Sequence, residues 1–409
     1  MTRNVCRKSL DAVLGWLVMG CLLVYGTVRR LVSPRHRTPP AQLEVKSILV
    51  SKLCCLGDGV LAVPAIRALK EHYPEATLTL ICTPRSVEAF RGHDFIDRIV
   101  NLQVTGFGGM KEIVLSGPRV VREALSAVRG CRPDLAVDLD LYYKLTPVLG
   151  FLSGAPIRTG FDTKGKHRGC LFTHKVPRDP DRHEVLCFLD ILEAVGIETD
   201  DAALCLWEAP EASAAAAEML DGEGIAEGQR YGVLTPGSSN NWPVKRWAAE
   251  KFAAVGRHLV QEHEMRIVVL GAGFETELGQ DVAENIGSGA VNLAGKTSVR
   301  ETIEILRDAQ IAVTNDSGQM HLAAAVGTPV VAIFGPTNPN KWRPWAEASR
   351  VVTSDECPRR PCYYLSAMPQ CDAHDCLGTI GVSEVVGAID ELLAAPGSGQ
   401  VASGELCDD

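Results

Sequence analysis

The feature that most constrains this chain is a rhythm that runs twice. A short apolar run ends in a glycine-rich or polar turn, a helical stretch follows, and another apolar run comes next. Residues 47–50 are such a run, followed by the loop LCCLGDG, a helix over about 60–71 and a second apolar run at 77–82; residues 135–139 form another. Strand, helix, strand in that order is the unit of a parallel sheet, because parallel neighbours need a crossover connection. The rhythm restarts at 231–235, which ends in PGSSNNWP and leads to a helix over 248–262. Residues 266–270 end at GAGFE, 311–314 end at NDSG with a helix through 325, and 330–334 end at GPTNP. Between the two halves, residues 208–227 are rich in Ala and Glu, which favours a helix over a flexible linker.

The pattern predicts an α/β chain of two Rossmann-like domains with parallel sheets. We place the first at 47–207, a connecting helix or linker at 208–230, the second at 231–395 and a disordered tail at 396–409. A length of 409 residues fits two cores better than one. Ligands of open α/β sheets bind outside the carboxyl ends of the strands. A central cleft faced by both sheets is therefore the expected place for chemistry.

Hydrophobic residues make up 46% of the chain and charged residues 22%, which excludes a disordered protein, and a net charge of −9 excludes a nucleic-acid binder. The charge is uneven. Residues 1–46 carry eight Lys and Arg against Asp11 and Glu44. Within them, residues 12–28 form an uncharged apolar run of 17, at the short end of a bilayer span of about 20. It reads as a transmembrane or signal-anchor helix, or as a helix lying in the interface. A cleaved signal fits poorly, because no small-x-small site precedes Arg29-Arg30. The basic residues that follow it put the body in the cytoplasm. The fourteen cysteines are mostly scattered in apolar runs and read as small buried hydrophobes of a cytosolic enzyme.

Three constellations carry chemistry. The first is Gly57-Asp58 at a strand–helix junction, where the carboxylate suits either a general base or a helix N-cap. The second is the Gly/Ser turn at Pro236-Gly237-Ser238, followed by Lys245-Arg246-Trp247. Its backbone N–H groups, hydroxyls and lysine charge suit a diphosphate. The third and most informative is Asn315-Asp316-Ser317-Gly318-Gln319-Met320-His321. Ser317 and Gly318 open a helix directly after a strand, which makes an anion site, with His321 one turn in. The competing structural reading has Asp316 capping that helix and His321 packing inward.

Other motifs are weaker. GAGFE is half a dinucleotide fingerprint. Asp138-Leu139-Asp140 has the form of a metal-binding DxD but closes an apolar strand, so a structural role is favoured. Cys357, Cys362, Cys371 and Cys376 are spaced more widely than a zinc knuckle, and local packing is the milder reading.

Taken together, GDGVLAVPAIRALKEHYP, PGSSNNWPVKRWAAEKFAAV, NDSGQMHLAAAVGTPVVAIFGPTNPNKWRPW and the late cysteines resemble glycosyltransferase family 9, the ADP-heptose–lipopolysaccharide heptosyltransferases, over about residues 47–390. The resemblance implies a GT-B fold and an inverting transfer that needs neither metal nor other cofactor. The implied donor is ADP-heptose and the implied acceptor is the lipid-linked inner core of lipopolysaccharide (a Kdo–lipid A type), at the inner membrane surface. It puts the base on Asp58. The diphosphate and nucleotide contacts fall on Lys245, Ser238, Asp316, Ser317, Gly318, Gln319 and His321, and a ribose-binding carboxylate on Glu275. Two departures stand out: Ala248 follows the Lys-Arg-Trp where the family often has Pro, and the apolar N-terminus is not typical of the family.

Alternatives remain. One is a family 9 enzyme with another nucleotide sugar or another glycolipid acceptor. A second is a non-catalytic, membrane-tethered nucleotide-sugar-binding protein. An NAD-dependent oxidoreductase is more distant, since a full GxGxxG is missing.

Overall fold

The structure is a computed structural model that describes residues 44–103, 122–141, 143–163, 167–239, 243–362 and 375–395. The apolar segment at 12–28, the tail at 396–409 and Cys371 lie outside the described residues. Among the described residues no helix is long and apolar enough to cross a membrane. The chain divides into two compact units. The first comprises Met1–Pro180 and Val185–Ala202, and the second Asp181–Glu184 and Ala203–Asp409.

The first unit holds a six-stranded sheet built from β1 (Ser47–Ser51), β2 (Thr77–Cys82), β3 (Arg98–Asn101), β4 (Leu135–Asp138), β5 (Ile157–Phe161) and β6 (His174–Val176). Its order is β3-β2-β1-β4-β5-β6, and every pair is parallel. The central strands are buried almost throughout (Ile48, Leu49, Val50, Leu78, Leu80 and Ile81 are at most 1% exposed), as strands covered on both faces must be. Two helices, rather than the single expected one, follow β1. The segment Leu56–Val60 forms a short first turn, and Val63–His72 follows with Pro64 near its start, where its missing N–H costs nothing.

The second unit repeats the plan with β7 (Tyr231–Thr235), β8 (Arg266–Val269), β9 (Ala290–Asn292), β10 (Ile311–Asn315), β11 (Val330–Phe334) and β12 (Ser349–Thr353). The order is β12-β11-β10-β7-β8-β9, again wholly parallel. The Ala/Glu-rich run is the helix Pro210–Gly222, which packs on Val299–Arg307. Glu304 receives the Ala209 N–H at 3.2 Å ahead of its first turn. Trp247 is 2% exposed in the core, lies edge-on to Phe252, and donates its indole N–H to the Ile380 carbonyl at 3.1 Å. It fixes the chain two residues beyond Lys245.

Both sheets reverse their winding between two neighbouring strands, β1 and β4 in the first and β7 and β10 in the second. At such a switch point the connections leave in opposite directions and open a crevice at the strand ends. Asp58 follows β1. Ser238 and Lys245 follow β7, and Asp316 to His321 follow β10.

Candidate active site

In the second unit, the loops that follow β7 and β10 are tied into one structure by Asn315, the last residue of β10. Its side-chain oxygen accepts the Trp247 N–H at 3.0 Å, and its amide donates to the Pro236 and Gly237 carbonyls at 2.8 and 3.2 Å. Beside it, Asp316 is buried. Its Oδ2 accepts from Lys245 Nζ at 2.6 Å and from the Thr337 hydroxyl at 2.7 Å. Burial alone raises this carboxyl, but the Lys245 charge and hydrogen bond, the Thr337 hydroxyl and the His321 charge outweigh it and hold Asp316 below the ordinary carboxylate range. Asp316 is therefore an anion whose Oδ2 is engaged by Lys245 and Thr337, and among the described residues no side chain caps the following helix.

The helix Gly318–Ala325 starts at Ser317, which has extended backbone at φ −147° and makes no side-chain cap. The Ser317 hydroxyl is buried and has no hydrogen-bond partner among the described residues. Gly318 and Gln319 are half-buried at the helix start, while His321 is 4% exposed, one turn in. An uncapped helix start leaves backbone N–H groups and the positive end of the helix dipole to meet an anion, with the Lys245–Asp316 pair beside it.

Glu275 holds the remaining wall. Its two oxygens accept the Ser238 N–H at 2.7 Å and the Ala272 N–H at 2.9 Å, and Arg246 approaches the first at 3.5 Å. Burial raises the Glu275 carboxyl against those donors. Arg246 also reaches the Ser238 hydroxyl at 3.3 Å. A β-carbon on Gly237 would stand 2.0 Å from Glu275 Oε1, so only glycine lets the turn lie against that carboxylate. Arg246 and Asn315 lie inside the constellations read from the sequence but have no role assigned there, and Thr337 lies outside them; its position just after β11 is its only signal.

In the first unit, Asp58 is the third residue of the helix Leu56–Val60, and the N-cap position belongs to Cys55. The Asp58 carboxylate is half-buried and makes no hydrogen bond or ion pair among the described residues. The loop before it is fixed from below. Asp140 accepts the Leu53 and Cys54 N–H groups at 2.7 and 3.2 Å, Thr83 donates to the Leu53 carbonyl at 3.0 Å, and Ser86 to that of Lys52 at 3.3 Å. Burial pushes the Asp140 carboxyl up to about 6, against the Lys52 charge and with that of Asp138. Asp138 in turn pairs with the wholly buried Arg168 at 2.7 Å, which also reaches Thr146 at 3.0 Å and the Tyr143 carbonyl at 2.8 Å. Both carboxylates of the DxD are thus occupied by protein partners, as the structural reading of that motif expects.

Two parallel sheets of this order, each with an equipped switch point, are the GT-B architecture. The family model for glycosyltransferase family 9 (heptosyltransferase) matches residues 122–368, and the chain belongs to that family. A lipooligosaccharide heptosyltransferase 2 of Campylobacter jejuni is 26% identical over 346 residues, 82% of this chain and 96% of that protein. That of Haemophilus influenzae is 32% identical over 114 residues, which cover 27% of this chain and only 33% of that protein. The crystal structure of a family 9 glycosyltransferase from Veillonella parvula superposes with a TM-score of 0.71 at 22% identity, covering 85% of this chain and 97% of that one.

Proposed function

We propose that this glycosyltransferase moves a heptose from ADP-heptose to the inner core of lipopolysaccharide, with inversion and without a metal, at the inner membrane surface. The similarity over 82% of this chain to a lipooligosaccharide heptosyltransferase supports the sugar and the class of acceptor. The observation that carries the site is the Lys245–Asp316–Thr337 cluster beside the uncapped helix start at Ser317. In this reading the donor diphosphate lies against the N–H groups of Gly318 and Gln319, with the Ser317 and Ser238 hydroxyls and Lys245 around it. Asp316 does not face the phosphates, whose charge it would repel; it aims Lys245. Glu275 holds the Ser238 turn and keeps lone pairs for a ribose hydroxyl. His321 completes the nucleotide wall.

Departure of the diphosphate concentrates negative charge on the leaving oxygens. Preorganised donors that meet charge as it grows lower the barrier, and here they do what a divalent ion does in other transferases. Asp58 takes the proton of the acceptor hydroxyl as that oxygen attacks the anomeric carbon from the face opposite the leaving group. Its carboxylate, unengaged among the described residues, supports this role. The test is incubation of the full chain with a panel of nucleotide sugars and a lipid A–Kdo acceptor, read by product mass. A product heavier by one heptose with ADP-heptose alone is expected. Transfer of a different sugar, or none from any donor, overturns the reading.

A further inference from the structure

The side chains around Asp58 include a pair of adjacent thiols that the transfer reaction does not use. Cys54 and Cys55 bring their sulfurs to 3.6 Å, and one ligand atom from each of Cys54, Cys55 and Asp58 lies within 4.8 Å of the others. We propose that these three residues bind one thiophilic divalent cation of the zinc type, and that the bound ion silences transfer by occupying the Asp58 carboxylate. The inhibitory half rests on Asp58 being the base; the binding half does not.

The geometry suits such an ion. Two thiolates on one tetrahedral zinc, with bonds of about 2.3 Å, stand roughly 3.8 Å apart, so the sulfurs need move little. Two sulfurs and one carboxylate oxygen favour a soft or borderline ion over magnesium or calcium, and leave a fourth position for water. The backbone beneath the first ligand is held by Asp140, which accepts the Leu53 and Cys54 N–H groups, so the site does not have to be assembled on binding. Cys55 and Asp58 are half-buried and give entry from solvent, whereas Cys54 is buried.

Two cations face the cluster. Arg85, exposed and long, places a guanidinium nitrogen 3.4 Å from the Cys55 sulfur, and buried Lys52 acts on both thiols. They offset part of the negative charge that two thiolates and a carboxylate would carry once an ion is bound. The hydrogen bond from Cys54 holds the Cys55 thiol below its ordinary value, against burial, while the same bond and burial push Cys54 well up. Loading the ion must expel protons, so affinity rises with pH.

The experiment uses the full chain, freed of metal by chelation and kept reduced. Cobalt(II) is titrated first, because thiolate ligation gives it a charge-transfer absorption, and zinc(II) is then used to displace it. The comparison is with Cys55→Ser and with Cys54→Ser/Cys55→Ser; serine is itself a favoured N-cap, so the helix start survives. Wild type should bind one equivalent more than the double variant. Zinc should inhibit its transfer at a concentration at least tenfold lower than it inhibits Cys55→Ser. Equal stoichiometry and equal absorption in wild type and double variant overturn the site. Equal inhibition of both by zinc overturns the inhibitory role. One extra equivalent bound, with full transfer at saturating zinc, keeps the binding half and overturns the inhibitory half.

Discussion

Replacing Lys245 by methionine strands a buried anion. The lysine and Asp316 side chains are 15% and 8% exposed and meet at 2.6 Å. Removing one partner of such a pair typically costs about 3–5 kcal/mol, because the other keeps its desolvation penalty without its counter-charge. Thr337 still donates to Asp316, which places the expected loss near the lower end, about 3 kcal/mol. Asp316→Asn in the same chain removes the stranded charge and should restore roughly 0.5–3 kcal/mol, the range for residues in direct contact. Urea unfolding of the single and double variants at pH 7, followed by circular dichroism at constant slope, measures both numbers. Nucleotide binding separates stability from function: the double variant should regain stability yet still bind ADP more weakly than wild type, since the cation is gone. Losses that add within about 0.5 kcal/mol would show that the two side chains do not depend on each other, and would refute the account of Asp316 as the group that aims Lys245.

Three further predictions follow from single residues. Arg168→Met, which leaves the buried Asp138 carboxylate without its guanidinium, should cost about 3–5 kcal/mol of stability, and Asp138→Asn should recover part of it in a thermal melt. Burial pushes the His183 imidazole down to about 4, with its Nε2 3.0 Å from the Arg343 carbonyl and its ring stacked on Trp345 at 4.4 Å. The unfolded chain then binds the extra proton first, so stability is full above pH ~6.5 and falls by up to ~3 kcal/mol as pH drops towards 4. His183→Phe should remove that slope in urea midpoints measured across the range. Gly237→Ala puts a methyl 2.0 Å from Glu275 Oε1 and should cost about 1–3 kcal/mol while weakening ADP binding measured by calorimetry.

The strands legible in the sequence are the inner ones. β1, β2, β4, β7, β8, β10 and β11 are mostly apolar because both their faces are covered. The outer strands escaped notice for the opposite reason. β3 and β12 are mostly half-exposed, and β6 and β9 have three residues each. β5 is the inner exception: it is buried throughout, but its apolar run is broken by Arg158, whose charge is absorbed by the Leu171 and Ala155 carbonyls at 2.8 and 2.6 Å. None of them shows a periodic signal. The helix Leu56–Val60 was hidden by Gly57 and Gly59, poor helix formers that tertiary packing overrides.

In the site, the loops at the ends of β7 and β10 could be read because glycine, serine and a lysine before an anchoring tryptophan are local signals. What Asp316 and Asp140 touch could not be read. Asp316 meets Lys245 across 71 positions, and Asp140 meets Cys54 across 86. Such long-range partners decide whether a carboxylate is a ligand, a base or a fastening. Only the sheet order brings them together.

Asp58→Asn tests the division of labour most directly: a proton acceptor on the first unit and a diphosphate cradle on the second. With ADP-heptose and a lipid A–Kdo acceptor, turnover should fall by about 10²–10⁴-fold while ADP affinity stays within a factor of about two. A variant that turns over at the wild-type rate, or that loses ADP binding in step with turnover, would contradict the assignment of the base.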